Sequence, residues 1–176
     1  MATVEILRHP TDEDWERCKL EALTTIGGRY VKNLPDESWK YLILRARHNV
    51  IYTLMFTFRV TDEPYCTAMH FKTHHEGCVQ FVSTQRNDRN GKYDRDKAPQ
   101  NAPVTHVIDI NACALMNMAN KRLCSCAEDR TRRYMQRICQ EVLKTNPEFR
   151  PFLVPFCMEY GCHEFRPCND ATRYLP

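Results

Sequence analysis

The sequence predicts a mixed α/β (α+β) fold in a single domain that covers residues 1–176, and three observations support this prediction. Aromatic and β-branched side chains alternate from Val50 to Val60, which is the period of a β-strand. Apolar residues recur at helical spacing before that segment and again after Asn111. The 176 residues are 43% hydrophobic and 27% charged, a composition that suits one domain with its own core.

Each predicted element has its own local signal. Thr11 and Asp14 form a capping box at the start of the first helix, and Gly27 stops that helix. Asn111 is a good N-cap for the helix that follows the last strand. In chain order we predict an edge strand at 1–9, a helix from 11 to 26, a helix from 35 to 46, strands at 50–60, 78–84 and 104–110, and helices at 111–123 and 128–144.

Three cations, Arg45, Arg47 and His48, follow the second predicted helix. The helix macrodipole favours positive charge at a C-terminus, so their position alone explains them. Farther along, the polar loop at 87–103 is long for a compact domain, and we interpret it as a candidate lid.

A basic, histidine-rich turn, Lys72-Thr73-His74-His75, lies between two of the predicted strands. Anion sites are often built from charged side chains on a turn that connects two hydrophobic strands. Lys72, His74 and His75, together with Arg86 after the next strand, are therefore candidates for binding a phosphate. A solvated turn between two core strands would explain the same residues.

Charge and composition restrict the function. The net charge of +3 is mild and its basic residues are interleaved with acids, so it does not indicate a nucleic-acid-binding protein. We see no apolar run of membrane-spanning length and no signal-peptide core, and we expect a cytoplasmic protein. The ten cysteines then indicate thiols or a metal before disulfides.

Three features together resemble the flavin-dependent thymidylate synthases, the ThyX family. The first is FTFRV followed by HFKTHHEGCVQFVSTQR, which is similar to the family's strand, Arg-His-Arg motif and Ser-x-Arg. The second is INACALMNMANKRL, which is similar to its Asn-Ala-Arg helix. The third is the order of the elements, and the resemblance covers about residues 12–155.

The resemblance implies a ThyX-like single domain with a central antiparallel sheet and flanking helices. It also implies a homotetramer with active sites between subunits. The implied enzyme is a flavin-dependent methyltransferase that methylates C5 of dUMP with FAD, NADPH and methylenetetrahydrofolate, without a cysteine nucleophile. By this resemblance the catalytic residues are Arg86 and Arg122, the cofactor-binding residues are His48, Lys72, His74, His75 and Asn117, and the substrate-binding residues are Thr84, Arg86, Arg122 and Arg137.

Two motifs depart from the family pattern. The Arg-His-Arg is replaced by Lys72-Thr73-His74 or by Thr73-His74-His75, depending on the alignment, and the nucleotide-binding arginine is Cys113. A thiol does not replace a guanidinium at a phosphate. Either another arginine compensates (Arg122, or one of Arg130 to Arg137), or the acceptor differs. The alternatives are an enzyme that acts on another uracil nucleotide or hydroxymethylates it, and a non-catalytic zinc-stabilised binding module.

The tail at 155–176 is rich in cysteine and proline. Four convergent thiolates would bind a structural zinc ion. Free buried cysteines, or a disulfide under oxidising conditions, would explain the same pattern, and His163 is a spare candidate ligand. The four best candidate ligands are Cys124, Cys157, Cys162 and Cys168.

Overall fold

The structure is a computed structural model, and it describes residues 3–29, 31–89, 91, 94, 96–168 and 176. Part of the predicted lid (Asn90, Lys92, Tyr93 and Arg95) lies outside the described residues. The end of the cysteine-rich tail, residues 169–175, lies outside them as well.

A four-stranded antiparallel sheet forms the centre of the molecule, as predicted. The strands are β1 (Thr3–Arg8), β2 (Met55–Pro64), β3 (Cys78–Val82) and β4 (Pro103–Asn111), in the spatial order β1-β2-β4-β3. In this register Phe58 of β2 pairs with Ile108 of β4. The edge strand and the two later strands were predicted within a few residues of these bounds.

Among the described residues, six α-helices flank the sheet: α1 (Asp12–Thr25), α2 (Glu37–Arg45), α3 (Tyr65–Lys72), α4 (Ala112–Arg122), α5 (Asp129–Thr145) and α6 (Phe156–Tyr160). Short 3-10 helices occupy Asn49–Thr53 and Pro147–Phe149. The capping box at Thr11 and the N-cap at Asn111 are confirmed. Within the described residues, no helix is both long and apolar enough to span a membrane.

The core lies between one face of the sheet and the helices. The sheet contributes the buried residues Phe56, Phe58 and Ile108 to this core. Helices α4 and α5 contribute Leu115 and Ile138. Because successive strand residues point to opposite faces, the other face of the sheet carries the alternate side chains. Val79 and Phe81 of β3 are each 59% exposed there.

The strand predicted from Val50 begins five residues later, at Met55. The Nδ1 atom of His48 accepts a hydrogen bond from the Val50 N–H and caps a 3-10 helix instead. Leu54 then ends this helix, and its carbonyl accepts a hydrogen bond from the Ala112 N–H at the start of α4. The alternating pattern was thus correct for β2 but not for the turn before it.

Helix α3 was not predicted from the sequence. Its buried residues are Thr67, Ala68 and Phe71, which is too few for a clear helical period. The helix ends at Lys72, the first residue of the histidine-rich turn, and therefore sets where that turn lies.

Candidate functional site

The histidine-rich turn is fixed against the start of α4 by close backbone packing. Gly77 has φ +66°, and a Cβ there would lie 2.3 Å from Nδ2 of Asn111. The Asn111 N–H donates to the Gly77 carbonyl over 3.0 Å. Only glycine allows both the backbone angle and this approach, so the turn and α4 form one rigid wall.

Arg122, at the end of α4, ties the same turn to the helix. Its Nε donates to Nε2 of His74 over 2.8 Å, and its NH2 group donates to the His70 carbonyl and to Thr73 Oγ1, each over 2.8 Å. Burial, with Arg122 and other cations nearby, lowers the pKa of His74 to about 4. His74 is therefore a neutral acceptor at neutral pH, and its proton lies on Nδ1.

A buried polar chain supports the turn from the sheet. Gln80 Nε2 donates to the carbonyls of Phe71 (3.0 Å) and His74 (2.7 Å), which leaves its Oε1 facing Nε2 of His106 at 3.0 Å. The other ring nitrogen of His106 lies 2.9 Å from Oε2 of Glu63. His106 on β4 thus links Gln80 of β3 to Glu63 of β2 through its two ring nitrogens. His106 was not identified from the sequence.

Arg47 forms the most connected polar cluster of the site. Its guanidinium donates to Oδ1 of Asn117 and of Asn120, each over 2.7 Å. It also donates to Glu159 Oε2 over 2.8 Å and to the Tyr160 hydroxyl over 2.9 Å. Burial alone would lower the pKa of Arg47, but the contacts with Tyr160 and Glu159 outweigh it and raise that pKa. The guanidinium is therefore charged and firmly oriented.

These side chains surround a cavity of about 470 Å³ between the turn, α4 and α6. A smaller cavity of about 260 Å³ adjoins it toward the start of α4, and both include Glu76, Ala114 and Asn117. We call this pair of cavities the α4 groove. The larger cavity is lined by Arg47, Thr73, His74, His75, Glu76, Ala114, Asn117, Asn120, Lys121, Phe156 and Tyr160. The smaller is lined by Tyr52, Glu76, Gly77, Asn111, Cys113, Ala114 and Asn117.

The structure brings together some of the predicted site residues and separates others. His74, His75 and Asn117 line the α4 groove, with Arg122 behind His74. A third cavity, of about 220 Å³, lies at the end of β3 and is lined in part by Lys72, Thr84 and Arg86. We call it the β3-end cavity. Arg86 there forms an ion pair with Asp88, with atoms 2.5 Å apart, and both side chains are more than half exposed.

Two further predicted residues have other contacts. His48 caps the 3-10 helix before β2. The guanidinium of Arg137 on α5 lies 5.8 Å from the centre of the Tyr134 ring. The cysteines predicted as metal ligands, Cys124, Cys157, Cys162 and Cys168, line a fourth cavity beside α4.

Sequence reasoning missed Arg47 as a site residue, because its place at a helix end already had a sufficient explanation. The structure gives it φ +48°, a backbone angle that non-glycine residues rarely adopt. That turn of the backbone points the side chain back across α4. No local pattern in the sequence marks such a contact, since its partners lie 70 to 113 residues away.

Comparison with known proteins supports the fold. No protein-family model matches the chain, and no curated protein matches its sequence. Among solved structures, ThyX from Helicobacter pylori, solved with FAD and dUMP, matches with TM-score 0.64 and 11% identity, over 85% of this chain and 95% of that one. The UMP/dUMP methylase PolB from Streptomyces cacaoi, solved with 5-Br dUMP, matches with TM-score 0.66 and 14% identity, over 86% and 96%. The predicted resemblance is thus confirmed at the level of the fold, which this chain shares with ThyX and PolB.

Proposed function

We propose that the protein is a ThyX-like, flavin-dependent enzyme that methylates C5 of dUMP, with FAD as cofactor and methylenetetrahydrofolate and NADPH as co-substrates. The observation that carries this proposal is the fold shared with two enzymes of dUMP chemistry, combined with the polar α4 groove that contains Arg47 and Lys121. A cytoplasmic location remains a prediction from the sequence.

The donor set of the groove fits the anionic parts of FAD and dUMP. A diphosphate and a phosphate both require fixed cations and N–H donors. Arg47 and Lys121 supply the cations in the groove, and His75 and Asn117 supply further polar groups. These four residues, together with the neutral His74, would hold the flavin and the nucleotide. When bound, FAD supplies the hydride for the reductive methylation.

Arg47 compensates, in this proposal, for the arginine that is absent at position 113. Cys113 and Asn117 lie one helical turn apart on the same face of α4, and the Arg47 guanidinium bonds Asn117. Arg47 is held by four hydrogen bonds, one of them an ion pair with Glu159, so its side chain would lose little further entropy on binding an anion. The role of this chain's residues is to orient the pyrimidine and bind its phosphate.

A homotetramer would bring the separated cation groups together. Arg86, Lys72 and Thr84 lie in the β3-end cavity rather than in the α4 groove of the same chain. The exposed Val79 and Phe81 on the nearby strand offer apolar surface for a neighbouring subunit. We propose that the β3-end cavity of one subunit completes the α4 groove of another.

A second acceptor is favoured by one observation. Cys113 leaves a small cavity beside Tyr52 where an arginine side chain would project. That space would accommodate a 2′-hydroxyl, and so UMP, or a hydroxymethylated product. Parallel assays with dUMP and UMP show which sugar the enzyme accepts. Mass analysis of the product then distinguishes methylation from hydroxymethylation.

The test is a visible absorption spectrum of the purified protein with added FAD, before and after dUMP. We expect a bound-flavin band that shifts when dUMP is added, followed by a methylated product when NADPH and methylenetetrahydrofolate are present. A flavin band that is indifferent to dUMP and to UMP would contradict the proposed substrate. No flavin binding would contradict the enzyme and favour the zinc-stabilised binding module.

A further inference from the structure

The tail after α6 folds over the turn between α4 and α5, and it brings cysteines from both parts of the chain to one cavity. This fourth cavity, of about 470 Å³, lies next to the α4 groove and shares Asn120, Lys121 and Phe156 with it. Five cysteines line it: Cys124, Cys126, Cys157, Cys162 and Cys168. We call these five residues the thiol cluster.

Two cysteines of this cluster lie close to a carboxylate of the tail. One potential ligand atom from each of Cys124, Cys126 and Glu164 lies within 4.8 Å of the others. The Cys124 thiol donates to Glu164 Oε1 over 3.6 Å, and the Cys126 thiol donates to the Arg166 carbonyl over 3.6 Å. The tail thus contacts the α4–α5 turn through the sulfur atoms of Cys124 and Cys126.

The five thiols are unpaired, as are all ten cysteines of the chain, every one of which is described. Half of the cysteines thus occupy one cavity, while the core cysteines Cys18 and Cys139 are fully buried and isolated from it. Several cysteines around one cavity can supply a metal ion with four sulfur ligands, and such a ligand set selects zinc over harder divalent ions.

We propose that the thiol cluster binds one zinc ion in a tetrahedral site. Cys124 and Cys126 contribute the ligands of the α4–α5 turn, and two of the three tail cysteines contribute the rest. Binding releases the thiol protons to solvent. His163 is not required as a ligand, because its ring packs edge-on against Phe156 at 5.3 Å.

The position of the site gives it a structural consequence. Cys157 lies within α6, two residues before Glu159 and three before Tyr160, both of which bond Arg47. A metal bound to the thiol cluster therefore fastens the chain in α6, or directly after it, to the α4–α5 turn beside the α4 groove. The α6 segment is short and has no buried residue of its own, so it gains little stability from apolar packing.

The experiment measures metal content in the full-length protein purified under reducing conditions without chelator. We expect one zinc per chain by elemental analysis, and a thiolate-to-metal charge-transfer band when cobalt replaces zinc. Two double variants, C124S/C126S and C162S/C168S, are expected to lose the metal. The matched control is C66S, which changes a partly buried cysteine of α3 outside the cavity and is expected to keep one zinc.

A second readout follows the tail itself. Limited proteolysis with and without a strong chelator is expected to expose cleavage sites at 155–168 at least tenfold faster in the metal-free protein. The circular dichroism spectrum of each double variant shows whether the rest of the chain still folds.

Three outcomes would overturn the proposal: no stoichiometric zinc in the wild-type protein, full zinc content in either double variant, or disulfides among the five cysteines in the protein as purified. None of these readouts uses flavin or nucleotide, so their result is independent of the proposed enzyme activity.

Discussion

The α4 groove and the β3-end cavity both contain an arginine, but the two arginines are held in different ways. Arg47 in the groove contacts residues from 70 to 113 positions away, and its side chain is 18% exposed. Arg86 at the β3-end cavity contacts Asp88, two positions away, and its side chain is 53% exposed. An anion site needs fixed charge, so in the proposed site the groove would be the preorganised half and the β3-end cavity the adaptable half.

The largest effect is expected from the glycine that sets the wall of the groove. Replacing Gly77 with alanine adds backbone strain and a clash with Asn111, and we expect a loss of about 3 kcal/mol or more of unfolding free energy. Gly27→Ala is the matched control, because Gly27 has a similar φ of +65° with nothing within 4 Å of a Cβ. Urea unfolding of both variants measures the difference, and equal losses would show that the close packing of the turn is unimportant.

The next effect separates the two arginines directly. Arg47→Ala leaves Glu159 and Asn120 without their charged partner, so we expect a loss of about 2–3 kcal/mol of stability. Arg86→Ala removes an exposed ion pair, and we expect a change below about 0.5 kcal/mol. Thermal and urea unfolding check both values. Equal effects would contradict the distinction between a preorganised half and an adaptable half.

A smaller effect concerns the carboxylate that now neutralises Arg47. Glu159→Gln keeps the shape of the side chain but removes its charge, so the guanidinium becomes more available to a phosphate. We expect dUMP to bind about fivefold more tightly, which corresponds to roughly 1 kcal/mol. Isothermal titration calorimetry measures this affinity, with Glu141→Gln as the control, since this carboxylate on α5 pairs with Lys144 and lines neither cavity of the α4 groove. Unchanged or weaker binding would place the phosphate away from Arg47.

The smallest expected effect is a pH dependence of folding stability that arises from His74 in the groove. His74 has a pKa of about 4 in the folded protein against an ordinary 6.5, so the unfolded chain binds more protons between these values. Stability therefore rises with pH across this window and is lost as pH falls from about 6.5 toward 4. We expect His74→Gln to reduce the stability that is lost between pH 6.5 and pH 4 by on the order of 1 kcal/mol, a value that allows for solvent screening. His75→Gln is the control, since His75 is exposed, and an identical slope in both variants would remove His74 as the cause.

The sequence predicted those parts of the fold whose signal is local and repeated. The capping box at Thr11, the N-cap at Asn111 and the alternation through Phe56 and Phe58 each depend on residues close in the chain. The 3-10 helix before β2 and helix α3 were missed because tertiary contacts, not local period, decide them. The Leu54 carbonyl bonding to Ala112 is one such contact.

Residues of the candidate site could be predicted from the sequence only where they belong to a recognisable motif. His74 and His75 were identified from the basic turn as well as from the resemblance, and Asn117 and Arg122 from the resemblance; all four lie in or behind the α4 groove. Arg47 and His106 could not be found in this way, because their roles arise from long-range hydrogen bonds and neither belongs to a recognisable motif.

The most direct test of the central claim compares the dUMP-induced shift of the bound-flavin absorption band in the wild type, Arg47→Ala and Arg45→Ala. Arg45 is an exposed cation two residues from Arg47 and serves as the matched control. If the α4 groove binds the nucleotide through Arg47, the wild type and Arg45→Ala shift alike, and Arg47→Ala needs about 30- to 100-fold more dUMP. A shift in Arg47→Ala at the wild-type concentration of dUMP would contradict the account.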